Sequence, residues 1–593
     1  MRLSTLILYI VTTMTGSLAL AQQNPEQAAN ATQVNSENKT NRVSPVRNIE
    51  RDARPQPETP VFEVRAIDGR NNNIENSAMG ATHTVLQRYT RSGYSDGISS
   101  LAGENRPSPR LISNLVFAQD HVVPNSHSVT DFMWQWGQFL DHDIDLTDGI
   151  DPEEPANILV PAGDRFFDPL STGIAEIPLN RSVYDLESGT DQENPRQQIN
   201  EITAWIDASN VYGSSAQRAE ALRLSDGSGQ LKTSEGRLLP FNESGLANAG
   251  GTANTLFLAG DVRANEQVGL TTMHTLFVRE HNRQARRIRR DQPDLSGEEI
   301  YQAARDIITA QMQVITYREF LPLLLGRNGI PAYRGYDATL NADIANEFST
   351  AAYRLGHSLL SPQILRLDEN GEEIAAGHLS LREAFFRPDE IINEGLEPIL
   401  RGLASQVCQT IDNYVIDDVR NFLFGPPGAG GFDLVSLNIQ RGRDHGLASY
   451  NQARQDMGLV PVSDFSEISS DVLVQTALAA AYETVDDIDM WVGGLAEDHY
   501  EDAMVGELFF YILQRQFVAL RDGDRFWYQN SLSEDQIKRV EDTRLSDIIR
   551  RNTAIGSELQ RNVFLAADAQ RNGRNNGDRR DNNERSESGD GRP

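Results

Sequence analysis

The segment WQWGQFLDHDIDLT, residues 134–147, sets the strictest condition on any fold for this chain. Trp136, Phe139 and Leu140 are of the kind a core takes, yet Asp141, His142 and Asp143 stand consecutively beside them. Ionisable groups carried into a core are costly unless paired. The fold must therefore bring partners here from elsewhere in the chain. On a helix, Gln138, Asp141 and His142 fall at i, i+3 and i+4, which is one face. Asp143 lies about 100° further round and must face other partners. The same pattern would also suit a buried polar network that only satisfies itself.

A partner for Asp143 is available in TAWIDAS, residues 203–209. In an extended loop, alternation aims Thr203, Asp207 and Ser209 to one side. With Asp143 and main-chain carbonyls they would form an all-oxygen site with two carboxylates, which suits Ca²⁺. A capping or turn network built from the same residues is the alternative.

The rest of the chain reads as mainly helical. GLTTMHTLFVREHNRQARRIRR and GEEIYQAARDIITAQMQVITYREFLPLLL carry apolar residues at helical spacing, and alternating strand patterns are scarce. We expect one large α-helical domain over 61–567, with long loops and little β structure. Residues 22–60 and 568–593 are polar, with too little apolar surface to order themselves. Arg2, an apolar run and Ala19-Leu20-Ala21 form a signal-peptide pattern over residues 1–21. That pattern points to a secreted or periplasmic protein. No later run is long enough to span a membrane. The net charge of −31 disfavours nucleic acid and anionic membranes as partners. The single cysteine, Cys408, excludes an internal disulfide, which in an exported chain of this size suits a bacterial source.

Seven motifs occur in one order: WGQFLDHDIDLT, TAWIDASNVYGS, LAGDVRANE, TMHTLFVREHNR, YRLGHSLL, SLNIQRGRDHGL and LRDGDRFWYQN. Together they resemble the animal-type haem peroxidases of the peroxidase–cyclooxygenase superfamily, over residues from about 106 to 555. The resemblance implies haem b, Ca²⁺ and an exported enzyme. Such an enzyme reduces H₂O₂ through a haem oxoferryl intermediate and oxidises small anionic or phenolic electron donors. It also implies roles. His142 and Gln138 match the distal histidine and glutamine, and Arg263 the distal arginine. His357 matches the proximal iron ligand, and Asn438 its partner. Asp141 and Glu266 match the carboxylates that form ester bonds to the haem. Arg354 and Arg441 match propionate-binding arginines. Asp143, Thr203, Trp205 (by its carbonyl), Asp207 and Ser209 match the calcium ligands.

The chemistry agrees with these roles. Cleaving a peroxide requires a proton to move from one oxygen to the other, which a neutral imidazole can shuttle. A permanently charged guanidinium stabilises the oxygen that becomes negative. The other eight histidines, including His281 in REHNR, read as structural groups, because no H-E-x-x-H spacing is present.

Two other functions share this framework. A fatty-acid dioxygenase of the superfamily needs a tyrosine three residues before the proximal histidine, and Arg354 stands there. A non-catalytic, calcium-stabilised adhesion or matrix protein would not need Gln138, His142, Arg263 and His357 together. The residue after Glu266 is Gln267, where myeloperoxidase-like members carry a methionine that makes a third haem link. Bromide, iodide and thiocyanate are therefore expected as donors ahead of chloride.

Overall fold

The computed structural model describes residues 63–567. The expected signal peptide over 1–21, the polar segment 22–60 and the tail 568–593 lie outside the described residues. From Arg65 onward the described residues belong to one contact unit. It is mostly helical, as the periodicities predict. Its ladders, apart from isolated bridges, are three antiparallel pairs of two-residue strands: Thr84–Val85 with Ile199–Asn200, Ile158–Leu159 with Glu176–Ile177, and Gln363–Ile364 with Leu379–Ser380. Residues 145–208 contain no helix at all.

Six helices frame the site: α1 (Pro109–Val116), α2 (Phe132–Ile144), α3 (Val268–Asp291), α4 (Gly297–Ile315), α5 (Leu434–Asp444) and α6 (Glu507–Asp522). α3 begins where the Gln267 side chain accepts from the Gly269 N–H, a cap supplied by the residue just outside the helix. α4 begins with a reciprocal capping box between Ser296 and Glu299. α3 and α4 pack together along their lengths.

α2 is the quoted segment, and it is nearly surrounded. It packs on α3, on the 3₁₀ turn Ala352–His357 and on the short helix Ser209–Tyr212. Phe139 lies 5.1 Å from Phe277 of α3, and Trp136 lies 5.9 Å from the same ring. The Trp136 indole N–H donates to Thr316 Oγ1 at 3.2 Å. Burying one such aromatic ring stabilises the fold by roughly 1.5–3 kcal/mol. Gly269 lets α3 approach closely, since a β-carbon there would collide with Gln135 Oε1 of α2.

The start of α2 rests on the far end of the described chain. The Thr130 N–H donates to Phe564 O at 3.0 Å, and Thr130 Oγ1 donates to Val563 O at 2.5 Å. The Phe564 ring stands 6.2 Å from Phe132 and 6.3 Å from Trp136. A second tie joins Arg65 to Asp524 at 2.9 Å. Cys408 is free and fully buried, and burial raises its pKa well above the usual thiol range.

Candidate active site

α2 presents Gln138, Asp141 and His142 on one face, and the loop 261–267 leading into α3 meets that face. His142 Nδ1 stands 3.5 Å from Asp261 Oδ1, and its Nε2 stands 3.9 Å from Glu266 Oε2. Gln138 Nε2 donates to Glu266 Oε2 at 3.3 Å, and Gln138 Oε1 accepts from Gln267 Nε2 at 3.0 Å. Arg263 is gripped from two sides. Its Nε and Nη2 donate to the two Asp261 oxygens at 2.9 and 3.0 Å, and Nη2 also donates to the Asp145 carbonyl at 2.8 Å. Arg263 Nη1 lies 3.6 Å from Asp141 Oδ2. The fold thus brings Gln138, Asp141, His142, Arg263 and Glu266 into one patch.

The electrostatics of this patch separate its members. Burial and the Arg263 charge hold the His142 pKa well below 6.5, so the imidazole is neutral at pH 7. Asp261 is also buried, yet the Arg263 guanidinium and His142 keep its carboxyl far below the usual range. Asp141 is pushed up to about 7 by burial and by Asp145. Glu266 is pushed up to about 8 by burial, with Asp261 and Asp141 adding to the rise. One carboxylate therefore stays ionised to fix the arginine, and two stand close to neutrality.

The turn Ala352–His357 faces α2 and carries the second histidine. His357 Nδ1 is 2.7 Å from Asn438 Nδ2 on α5, and Asn438 Oδ1 accepts from Arg354 Nη1 at 3.0 Å. Amide oxygen and nitrogen occupy equivalent positions, so a protonated Nδ1 donating to the amide oxygen fits the same contact. Burial and Arg354 bring the His357 pKa down to about 3. Its Nε2 makes no hydrogen bond among the described residues, so a lone pair is free for a metal. Arg354 is itself pushed down, by burial first and then by Arg441 and Arg263, with Asp145 and Asp141 acting against them. Arg441 Nη1 is committed to Asn180 O, Ser182 Oγ and Asp444 Oδ2 at 2.8–2.9 Å.

Asp143 faces away from this patch, as its position on the helix requires. Its Oδ2 and Oδ1 accept from the Ala208 and Asn210 N–H groups, both at 3.2 Å, and its carbonyl accepts from Ser209 Oγ at 2.7 Å. Thr203 Oγ1 donates to Asp207 Oδ1 at 3.1 Å. Asp207 Oδ2 makes no hydrogen bond, and Arg305 Nη2 is 3.6 Å away. Burial and the Asp207 charge push the Asp143 pKa well above the carboxylate range, and burial raises Asp207. Asp143, Thr203, Asp207 and Ser209 are thus brought together. Trp205 lies in the same loop, with its indole donating to Gly69 O at 3.2 Å.

Sequence reasoning missed Asp261. Its signal was present in GDVRANE, where a carboxylate two residues before an arginine can chelate that arginine's fork. It also missed Gln267 as the residue that holds Gln138. Of the remaining histidines, His445 is structural. Its Nδ1 lies 2.8 Å from Asn346 Oδ1 and its Nε2 lies 2.8 Å from Ser182 Oγ.

The family model described as animal haem peroxidase matches residues 64–564. Peroxinectin A of Dictyostelium discoideum is 39% identical over 525 residues, 85% of this chain and 96% of the relative. Peroxidasin of Drosophila melanogaster is 34% identical over 551 residues, 85% of this chain but 36% of its own length. The solved structure of peroxidase A from Dictyostelium discoideum superimposes with a TM-score of 0.79 at 37% identity. That match covers 85% of this chain and 99% of the other. Oryza sativa fatty acid α-dioxygenase gives a TM-score of 0.71 at 22% identity over 85% of this chain and 87% of its own, a likeness of fold alone. The chain belongs to the animal haem peroxidase family and is a haem-dependent peroxidase.

Proposed function

We propose that the chain is an exported peroxidase that reduces H₂O₂ at a haem held between His142 and His357. Small anions or phenols would supply the electrons, with bromide, iodide and thiocyanate ahead of chloride. The observation that carries this reading is the pairing of a neutral, buried imidazole with an arginine anchored by Asp261. Haem supplies the redox chemistry of O–O cleavage when bound. His142 takes the proton from the nearer peroxide oxygen and returns it to the departing one. Arg263 stabilises the charge that develops between those two events. Overall, H₂O₂ takes up two electrons and two protons to give two waters.

His357 would ligate the iron through Nε2, with Asn438 fixing the ring. Arg354 and Arg441 would meet the propionates, and such anions would offset the burial and the neighbouring cations that lower the Arg354 pKa. Asp141 and Glu266 favour their neutral forms in this buried patch, and an ester is neutral as well. That supports covalent attachment at both positions. Two buried carboxylates with an unpartnered oxygen support Ca²⁺ at Asp143 and Asp207, with Thr203, Ser209 and the Trp205 carbonyl.

A dioxygenase reading lacks its tyrosine. Arg354 stands three residues before His357, and the neighbouring Tyr353 is stacked on Phe348 at 4.7 Å within the core. Stopped-flow mixing with H₂O₂ tests the proposal. His142→Ala is expected to slow the reaction by about 10²–10⁴-fold while haem stays bound. Rates within a few-fold of the parent would remove His142 from the mechanism.

A further inference from the structure

The second half of α3 carries Arg279, Arg283, Arg286, Arg287, Arg289 and Arg290. Positions 279, 283, 286/287 and 290 form one stripe about 16 Å long. Among the described residues only Arg290 of this set forms an ion pair, with its neighbour Asp291. This is unusual in a chain with 85 acidic and 54 basic residues. Asp291 and Glu280 of the same helix act on Arg287 but lie beyond ion-pair distance of it, and Glu280 is taken by Arg551 at 2.8 Å. Burial first, then Arg237 and Arg283, lower the Arg286 pKa, so the cluster is pressed by its own like charges.

A pocket of about 200 Å³ opens beside the stripe, lined by Lys232, Arg237, Arg279 and Arg286 together with Thr233 and Asn282. Arg279 is the buried cation of that lining. This guanidinium is 7% exposed, and its hydrogen bonds go to neutral carbonyls: Arg237 O at 3.0 Å, Gly236 O at 2.9 Å and Asn552 O at 3.2 Å. Those bonds hold the fork rigid but neutralise none of its charge; burial and Arg237 act against that charge, and Glu397 favours it from beyond ion-pair distance. Arg286 Nη1 is held by Gln230 Oε1 at 2.8 Å. The pocket thus gathers four basic side chains and adjoins the arginine stripe.

We infer that this surface binds a linear acidic polysaccharide, with one sulfate or carboxylate in the pocket over Arg279 and its neighbours along the arginine stripe. The pocket's hydroxyl and amide groups suit sugar hydroxyls. No aromatic side chain lines it, whereas single-stranded nucleic acid is typically gripped by stacking on aromatic rings. The overall charge of −31 does not prevent contact, because salt screens distant charge beyond about 8–10 Å. Arg279 is 11 residues along α3 from Val268, about 16 Å at helical rise, and Glu266 lies in the loop before that helix. Binding here therefore leaves the peroxide chemistry untouched.

The test uses the full chain with bound haem on immobilised dextran sulfate, with uncharged dextran, single-stranded DNA and anionic phosphatidylserine vesicles in parallel. Retention on dextran sulfate at physiological salt is expected, with none on dextran and clearly weaker binding to DNA and vesicles. The triple variant Arg283→Gln, Arg286→Gln, Arg287→Gln should weaken binding by about tenfold, with an unchanged rate toward H₂O₂. Arg279 is left intact because its bonds to three carbonyls support the local fold. Absence of retention, or equal retention of the triple variant, overturns the site. DNA or vesicles bound as tightly as dextran sulfate overturn its assignment to a polysaccharide.

Discussion

Asp261 chelates Arg263 through both carboxylate oxygens while standing 3.5 Å from His142 Nδ1, so one buried anion positions the two groups that would act on peroxide. Asp261→Asn keeps the size and removes the charge. The arginine then loses its fixed orientation, and the peroxide reaction should slow by about 10²–10³-fold. Stopped-flow rates read this, with the haem absorbance checking that the cofactor is still bound. A rate near that of the parent would mean that the Asp145 carbonyl alone suffices to hold Arg263.

Covalent haem is checked by extraction into acidified organic solvent after treatment with H₂O₂. The parent should retain its haem. Asp141→Val with Glu266→Gln should release it, and each single variant should retain one link. Complete release from the parent would remove both esters from the proposal.

Calcium at Asp143 and Asp207 should contribute to stability through binding linkage. A ligand at a hundredfold its Kd stabilises by roughly 2.7 kcal/mol. Chelation and Asp143→Ala should each lower Tm, and metal analysis of the variant should show the loss of about one Ca²⁺. Asp143 follows His142 directly, so the variant should also react more slowly with H₂O₂. Full metal content in the variant would place the ion elsewhere.

His281 gives a pH dependence of stability that is separate from catalysis. Tyr212 Oη lies 2.8 Å from its Nδ1 and Gly229 O lies 2.9 Å from its Nε2, and burial lowers its pKa from 6.5 to about 4. Between those two values the unfolded chain binds a proton that the folded chain does not. Stability therefore falls as pH drops from 6.5 toward 4 and is fully present above 6.5. The span corresponds to roughly 3 kcal/mol. Thermal melts at pH 7 and pH 4.5 should show a smaller loss for His281→Gln than for the parent. Equal losses would assign the effect to other buried histidines.

The proposed halide choice rests on Gln267, which caps α3 and donates to Gln135 and Gln138 at 2.7 and 3.0 Å. It offers no sulfur for a third haem link. Halogenation of a reporter with H₂O₂ at pH 7 should proceed with bromide, iodide and thiocyanate and poorly with chloride. Equal chloride and bromide rates would show that this position does not set the choice.

Helical spacing on its own correctly split residues 138–143 into two faces, because that argument needs only the 3.6-residue period. The same spacing could not say what the two faces meet. Arg263, Glu266, His357 and Asn438 arrive from 120 to 300 positions away along the chain, and motif resemblance rather than periodicity pointed to them. Asp261 went unnoticed because a loop aspartate looks like a turn residue until its arginine is seen to fold back on it. The segment TAWIDAS was legible as a set of oxygen donors. Its hydrogen bonds to Asp143 form a cap network, and the proposed ion site would draw on the same atoms. The basic half of α3 read only as an amphipathic helix, since segregation from carboxylates is a property of the folded surface.

The seat of α2 on residues 563–565 bears on how the molecule is made. A nascent chain releases α2 early, but Phe564, which packs on Phe132 and Trp136, emerges more than 400 residues later. Until then the helix that carries His142 has no finished bed, and the loop-closure entropy for that contact is unpaid. Assembly of the peroxide site is therefore one of the last events of folding. Haem capture then reports on the completion of the whole domain, and no early fragment should hold a reactive cofactor.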